Sequence, residues 1–131
     1  MILIDARDHR PIYEQIVEKL ADLMVCGALE QNSPMPSVRS LAAELSVTPN
    51  TVQRAYAELE RLGYIVSIRG KGSFVADTAA IRRLGQEKIR AELADVAGRA
   101  DRAGIDREWF LTYAESVWRE LENDHKQEEA K

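Results

Sequence analysis

The chain has 131 residues, 45% of them hydrophobic and 31% charged, which places it among globular proteins and outside the disordered class. No run approaches the roughly 18 consecutive apolar residues of a membrane span, and the start Met1-Ile2-Leu3-Ile4-Asp5 lacks the basic and long apolar segments of a secretory signal, so a cytoplasmic protein with no membrane contact is expected. Cys26 is the single cysteine and can form no internal disulfide, His9 and His125 lie too far apart for a ligand set with zinc spacing, and no nucleophile, paired-carboxylate or phosphate-cradling motif stands out; neither an enzyme, a cofactor nor a bound metal is expected.

The net charge of −4 runs against nucleic-acid binding, which draws on Lys and Arg at phosphates, but its distribution does not. Between Ser33 and Val75 five cations (Arg39, Arg54, Arg61, Arg69, Lys71) face three anions (Glu44, Glu58, Glu60), a balance of +2. From Ala76 to Lys131 ten cations face thirteen anions, a balance of −3.

In chain order, the run Ile2-Leu3-Ile4 is long enough for a short strand. Pro11 suits the first position of a helix in which Ile12, Ile16, Leu20 and Leu23 recur at spacings of four and three, and Gly27 closes it. Cys26, near its end, reads as a small buried hydrophobe. The stretch Glu30-Gln31-Asn32-Ser33-Pro34-Met35-Pro36 breaks both regular periodicities and reads as a connector.

Ser37 is placed to cap a second, short helix with Val38, Leu41, Ala42 and Leu45 on one face. After the turn Ser46-Val47-Thr48, Thr48 as N-cap and Pro49 at the first position start a third helix. Its core stripe is Val52, Ala55, Leu59 and Leu62, with Tyr56 at the boundary, and it runs to Gly63. Two helices across so tight a turn make a helix-turn-helix. Tyr64-Ile65-Val66-Ser67-Ile68 and Ser73-Phe74-Val75, joined by Arg69-Gly70-Lys71-Gly72, then form a β-hairpin with a basic, glycine-containing tip.

From Ala79 to about Ala103 the chain is helical, with Ile89, Leu93, Val96, Ala100 and Ala103 forming a seam for another helix. Gly104 ends it and Asp106 caps a last helix, whose stripe Phe110, Ala114, Val117 and Leu121 is flanked by Trp109, Tyr113 and Trp118. Residues 125–131 are too polar to pack and are expected to be a flexible tail. The expected architecture is mainly α with a small β-hairpin: a winged helix-turn-helix domain over residues 1–76, then a two-helix C-terminal arm over 77–124.

The side chains that reach base edges from a recognition helix lie in its first turns, here Thr48, Asn50, Thr51, Gln53 and Arg54. Asn and Gln can bond adenine in a bidentate manner, Arg can do so with guanine, and a Thr methyl can touch that of thymine. A solvated helix face is the competing reading of these residues, and a protein-interaction module is the competing function.

The ordered runs Pro36-Ser37-Val38-Arg39-Ser40-Leu41-Ala42, Val47-Thr48-Pro49-Asn50-Thr51-Val52-Gln53-Arg54-Ala55-Tyr56, Gly63-Tyr64-Ile65 and Arg69-Gly70-Lys71-Gly72-Ser73-Phe74-Val75 resemble the DNA-binding domain of GntR-family regulators, and Pro11-Ile12-Tyr13-Glu14-Gln15-Ile16 fits as well. The resemblance implies double-stranded DNA as partner. It implies DNA contacts from Arg39, from Thr48, Pro49, Asn50, Thr51, Gln53 and Arg54, and from the wing tip Arg69, Gly70, Lys71 and Gly72 at the minor groove and phosphates. Where the family usually has Pro-Gly, Gln31-Asn32 stands, and Asn is expected to accept the positive φ of that turn.

About 55 residues follow the wing, which suits the short, YtrA-like branch of the family, where two helices resemble a dimerisation arm. Ile89, Leu93, Val96 and Ala100 are the expected homodimer seam, with packing on the chain's own winged domain as the alternative. Trp109, Phe110, Tyr113 and Trp118 are candidates to line a pocket for an unidentified small-molecule effector, between the C-terminal helices and the winged domain, with core packing as the alternative. The function implied is repression from a palindromic operator.

Overall fold

The computed structural model describes residues 4–130 and divides into two compact units, Met1–Lys88 and Ile89–Lys131. Seven elements follow in order: α1 (Ile12–Val25), α2 (Val38–Leu45), α3 (Pro49–Leu62), β1 (Ile65–Ile68), β2 (Gly72–Val75), α4 (Thr78–Arg102) and α5 (Arg107–Glu129). The fold is mainly helical with a two-stranded antiparallel hairpin, as the periodicities require.

α1 begins one residue later than expected, with Pro11 in extended conformation just ahead of it. Its buried face is Gln15, Ile16, Leu20, Ala21 and Met24, whereas Ile12 lies exposed at the helix start, where the core does not reach. Gln15, although polar, is only 3% exposed. Its side chain accepts the Asp5 N–H at 3.0 Å and donates to the Arg10 carbonyl at 3.3 Å, which satisfies the amide and ties the N-terminal segment to α1. Cys26 is exposed, contrary to the sequence reading, because it falls after the last helical residue, where the chain turns away at Gly27.

In the connector, Asn32 takes φ +64, as expected of an amide residue substituting for glycine, and the Ser33 hydroxyl donates to the Glu30 carbonyl at 2.6 Å. The chain then runs along the outer edge of β2. Val75 donates to the Ser33 carbonyl (2.9 Å), Asn32 to that of Val75 (3.0 Å) and Met35 to that of Ser73 (2.8 Å). The connector thus occupies an edge of the sheet; of the short strand expected over Ile2-Leu3-Ile4, Ile2 and Leu3 lie outside the described residues, and Ile4 packs on the core without strand structure.

Ser37 accepts the Ser40 N–H at 3.1 Å and starts α2, which stops where Ser46 turns into the left-handed region at φ +57. Thr48 accepts the Thr51 N–H at 3.4 Å and starts α3 with Pro49 first. Packing of α3 on α1 and α2 closes the core around Ile16, Met24, Leu41, Val52, Leu59, Ile65 and Val75, none more than 2% exposed. Tyr56 belongs to this core; its hydroxyl donates to the Pro36 carbonyl at 2.8 Å, and burial pushes its pKa up to about 12. Leu62, expected in the stripe, is 38% exposed, because the helix ends there beside a groove of about 430 Å³ floored by Val17, Ala21 and Leu62 itself.

The first unit takes in the start of α4 and so reaches beyond the boundary expected at residue 76. Ile81, Leu84 and Gly85 are buried, and a Cβ on Gly85 would come within 2.9 Å of Val25 Cγ1. Lys88 pairs with Asp22 at 2.6 Å across the same contact.

In the second unit the rest of α4 ends at Gly104 (φ +75), with Gly104 donating to the Asp101 carbonyl (3.1 Å) and Ile105 to that of Ala100 (2.9 Å). Asp106 then accepts the Trp109 N–H at 3.4 Å and caps α5. α5 continues to Glu129, through residues whose polarity suggested a tail, since Arg, Lys and Glu propagate a helix without needing a core. None of its described residues is buried.

Candidate nucleic-acid interface

The turn Ser46-Val47-Thr48 presents the first turns of α3 at the surface. Asn50, Gln53 and Arg54, at positions i, i+3 and i+4, share one exposed face, opposite the buried stripe Val52, Ala55 and Leu59. Their side chains are long enough to reach a base edge, and all three carry donors. Thr48 and Thr51 are partly committed to each other, with hydroxyl oxygens 2.8 Å apart. Pro49 has no N–H and that of Thr51 is capped, so the Asn50 amide is left at the helix start, where the dipole favours an anion such as a phosphate.

Arg39 on α2 is exposed and forms no ion pair with Glu44 or Glu58. Glu58 instead accepts from Arg61 Nε at 2.9 Å, which holds the Glu58 carboxyl below its ordinary pKa. None of the ion pairs among the described residues involves Arg39, Arg54, Arg69 or Lys71. These four cations therefore keep their charge for an external anion.

The wing is set by pairing Ile65 with Val75, Val66 with Phe74, Ser67 with Ser73 and Ile68 with Gly72. Lys71 donates to the Ile68 carbonyl at 2.9 Å, closing a turn with Arg69 and Gly70 at its corners. Gly70 sits third in this turn at φ +80, a conformation that glycine adopts freely. A Cβ there would meet nothing within 4 Å, so the tip stands clear of the rest of the fold with Arg69 and Lys71 exposed.

One neighbour of this surface carries no spacing signal in the sequence: Tyr13 of α1 lies under Arg54, whose guanidinium carbon is 4.0 Å from the ring centroid. Forty-one positions separate the two, so only the packing of α1 on α3 reveals the pair.

In the second unit Ile89, Leu93 and Val96 are exposed and Ala100 is half-buried. Trp109 and Tyr113 stack, with centroids 5.2 Å apart and planes 3° from parallel, beside a shallow depression of about 390 Å³ bounded by Asp106, Glu108, Thr112 and Ser116. Phe110 and Trp118, expected to join them, do not line it. Helical phase explains both: Phe110 is turned about 100° from Trp109, and Trp118, nine residues on, is about 180° away. Among the described residues no helix is long and apolar enough to cross a membrane, and no cluster of His, Cys, Asp or Glu suits a metal ion.

The family model for bacterial regulatory proteins of the gntR family matches residues 12–75, from the start of α1 to the end of the wing. The HTH-type transcriptional repressor YtrA of Bacillus subtilis (strain 168) is 35% identical over 130 residues, covering 95% of this chain and all of that protein. A GntR-family transcriptional regulator from Listeria monocytogenes superposes with a TM-score of 0.76 at 34% identity, over 83% of this chain and 96% of that one. The DNA-binding domain of AraR, solved in complex with operator ORX1, has the same fold at a TM-score of 0.52 and 24% identity, over 58% of this chain and 95% of that one. A relative matched over its full length, together with a family model that spans the helix-turn-helix and wing, places the chain in the GntR family: it is a DNA-binding transcriptional regulator, not an enzyme.

Proposed function

We propose that the chain is a homodimeric repressor that sets its two α3 helices into successive major grooves of a palindromic operator, with half-site centres about 34 Å apart. The observation that carries this reading is the polar face Asn50, Gln53 and Arg54, flanked by Arg39, Arg69 and Lys71, which form no ion pair among the described residues. Asn50 and Gln53 read bases; Arg54 adds a guanidinium beside them; Thr48 and Thr51 fix the helix start; Arg39, Arg69 and Lys71 meet phosphates, and Gly70 and Gly72 let the wing backbone approach the minor groove.

The surface of the second unit supports dimerisation. Two helices leave Ile89, Leu93, Val96, Trp109, Val117 and Trp118 exposed, with Ile89 at 61% and Trp118 at 67%. So much apolar surface on a short helical pair is the mark of an association site. Repression is taken from YtrA, whose name records it and whose length this chain matches. The face of α3 that carries Asn50, Gln53 and Arg54 holds no large exposed apolar side chain of the kind that a protein-interaction module would use.

Selection of duplexes from a random-sequence library by the purified chain tests the reading. A palindromic consensus is expected, and Asn50→Ala or Gln53→Ala should cost about 1–3 kcal/mol on the selected duplex and much less on random DNA. Recovery of no consensus would overturn sequence-specific reading, and equal losses on both DNAs would reassign these side chains to the backbone.

A further inference from the structure

We infer that Tyr13 is a positioning residue for DNA recognition: its ring holds the Arg54 guanidinium in place on the recognition helix without itself touching DNA. The inference rests on the reading of Arg54 as a DNA-contacting residue. Arginine is the most common reader of guanine, but a free side chain gives up considerable rotamer freedom when it docks. Tyr13 lies half-buried on α1, partly packed against the core, so its ring is a fixed platform. With the guanidinium carbon 4.0 Å from the ring centroid, Arg54 is held by a cation–π contact.

The kind of contact matters more than its strength. A carboxylate partner would occupy the N–H donors and cancel the charge, whereas a ring face leaves both available. Glu58, one turn along α3 and close enough for the Arg54 charge to help lower its pKa, is bonded to Arg61 instead. Arg54 thus makes no hydrogen bond or ion pair among the described residues. It is held in place and still unpaired, as a group awaiting a base edge or phosphate should be. The Tyr13 hydroxyl points to the same division of labour, since it is 3.3 Å from its neighbour Glu14 and takes no part in the stack.

The test is a double-mutant cycle with the full chain, read by anisotropy on a labelled duplex selected from a random library by the wild-type protein, with a random-sequence duplex alongside. Tyr13→Leu should weaken binding to the selected duplex by about 3- to 10-fold. Tyr13→Phe, which keeps the ring, should retain most of the affinity. In an Arg54→Ala background, Tyr13→Leu should have no further effect. The Arg54 Nε–Hε resonance, shifted by the ring current in the wild type, should move toward the random-coil position in Tyr13→Leu while the other arginine signals stay put. If Arg54→Ala binds as the wild type does, the DNA role of Arg54 fails and the positioning role with it. If Arg54→Ala weakens binding but Tyr13→Leu does not, or costs as much with Arg54 absent as present, positioning alone is overturned.

Discussion

Both units of this chain have helices that carry large apolar side chains, yet the two units bury them to opposite extents. In the winged unit every large residue of the α3 stripe from Val52 to Leu59 is sealed, and even Gln15 is enclosed with both ends of its amide bonded. In the second unit α5 has no buried residue, although it carries two tryptophans, a phenylalanine and a tyrosine. The first unit encloses its apolar side chains within its own chain, whereas the second leaves them open to the partner copy proposed above.

Truncation breaks the comparison most sharply. Leu59→Ala, in a fully buried site, should destabilise the winged unit by about 2–5 kcal/mol through lost burial and the cavity left behind, as thermal unfolding would measure. Leu93→Ala, at an exposed site, should leave the unfolding of the winged unit almost unchanged and act on association instead. Equal destabilisation by the two would remove the distinction.

Gly85 lies in the part of α4 that packs on the winged unit. A side chain there meets Val25, a stiff β-branched neighbour, so Gly85→Leu should cost about 1–3 kcal/mol despite the better helix propensity of leucine. A neutral result would detach the start of α4 from the winged core.

Tyr56 gives a comparable effect that pH reads out. Its pKa is about 12 in the fold against 10.0 unfolded, so the neutral phenol is favoured by folding. The stabilisation is fully present below pH 10 and lost as the pH rises from 10 toward 12, a fall of about 3 kcal/mol. The stabilities of the wild type and Tyr56→Phe, from denaturant titrations, should run parallel below pH 10, and the wild type should fall relative to the variant as the pH rises toward 12; curves that stay parallel throughout would deny the phenol its buried setting.

The smallest effect on stability is expected at the wing. Arg69→Ala with Lys71→Ala should leave the unfolding midpoint where it is, because the tip packs on nothing. It should also flatten the slope of log affinity against log salt by up to about 2, as expected for two lost phosphate contacts. An unchanged slope would take the wing out of the mechanism.

Much of the fold was legible because local signals agreed. Thr48-Pro49 started α3, Ser37 capped α2, and the Arg-Gly-Lys-Gly tip closed the hairpin, each through a bond or a φ value that the residue type imposes. What stayed hidden depends on long-range packing. Leu62 fits the helical stripe yet lines a groove; Cys26 is apolar yet falls past the end of α1; the β2 edge is filled by a connector with no strand periodicity. At the DNA-facing surface, the residue types on α3 were readable from their place in the first turns, but the ring beneath Arg54 was not, because no spacing rule links positions 13 and 54.

Whether the second unit joins two winged units, as proposed, is read from sedimentation equilibrium of the full chain. The wild type should sediment at close to twice the 14.8 kDa of one chain. Leu93→Asp, which sets a carboxylate in the apolar seam, should sediment at that single-chain mass and bind the selected palindrome about 100-fold more weakly, for want of a linked second half. A wild type that sediments as a monomer, or a Leu93→Asp variant that remains a dimer at full DNA affinity, would contradict that role.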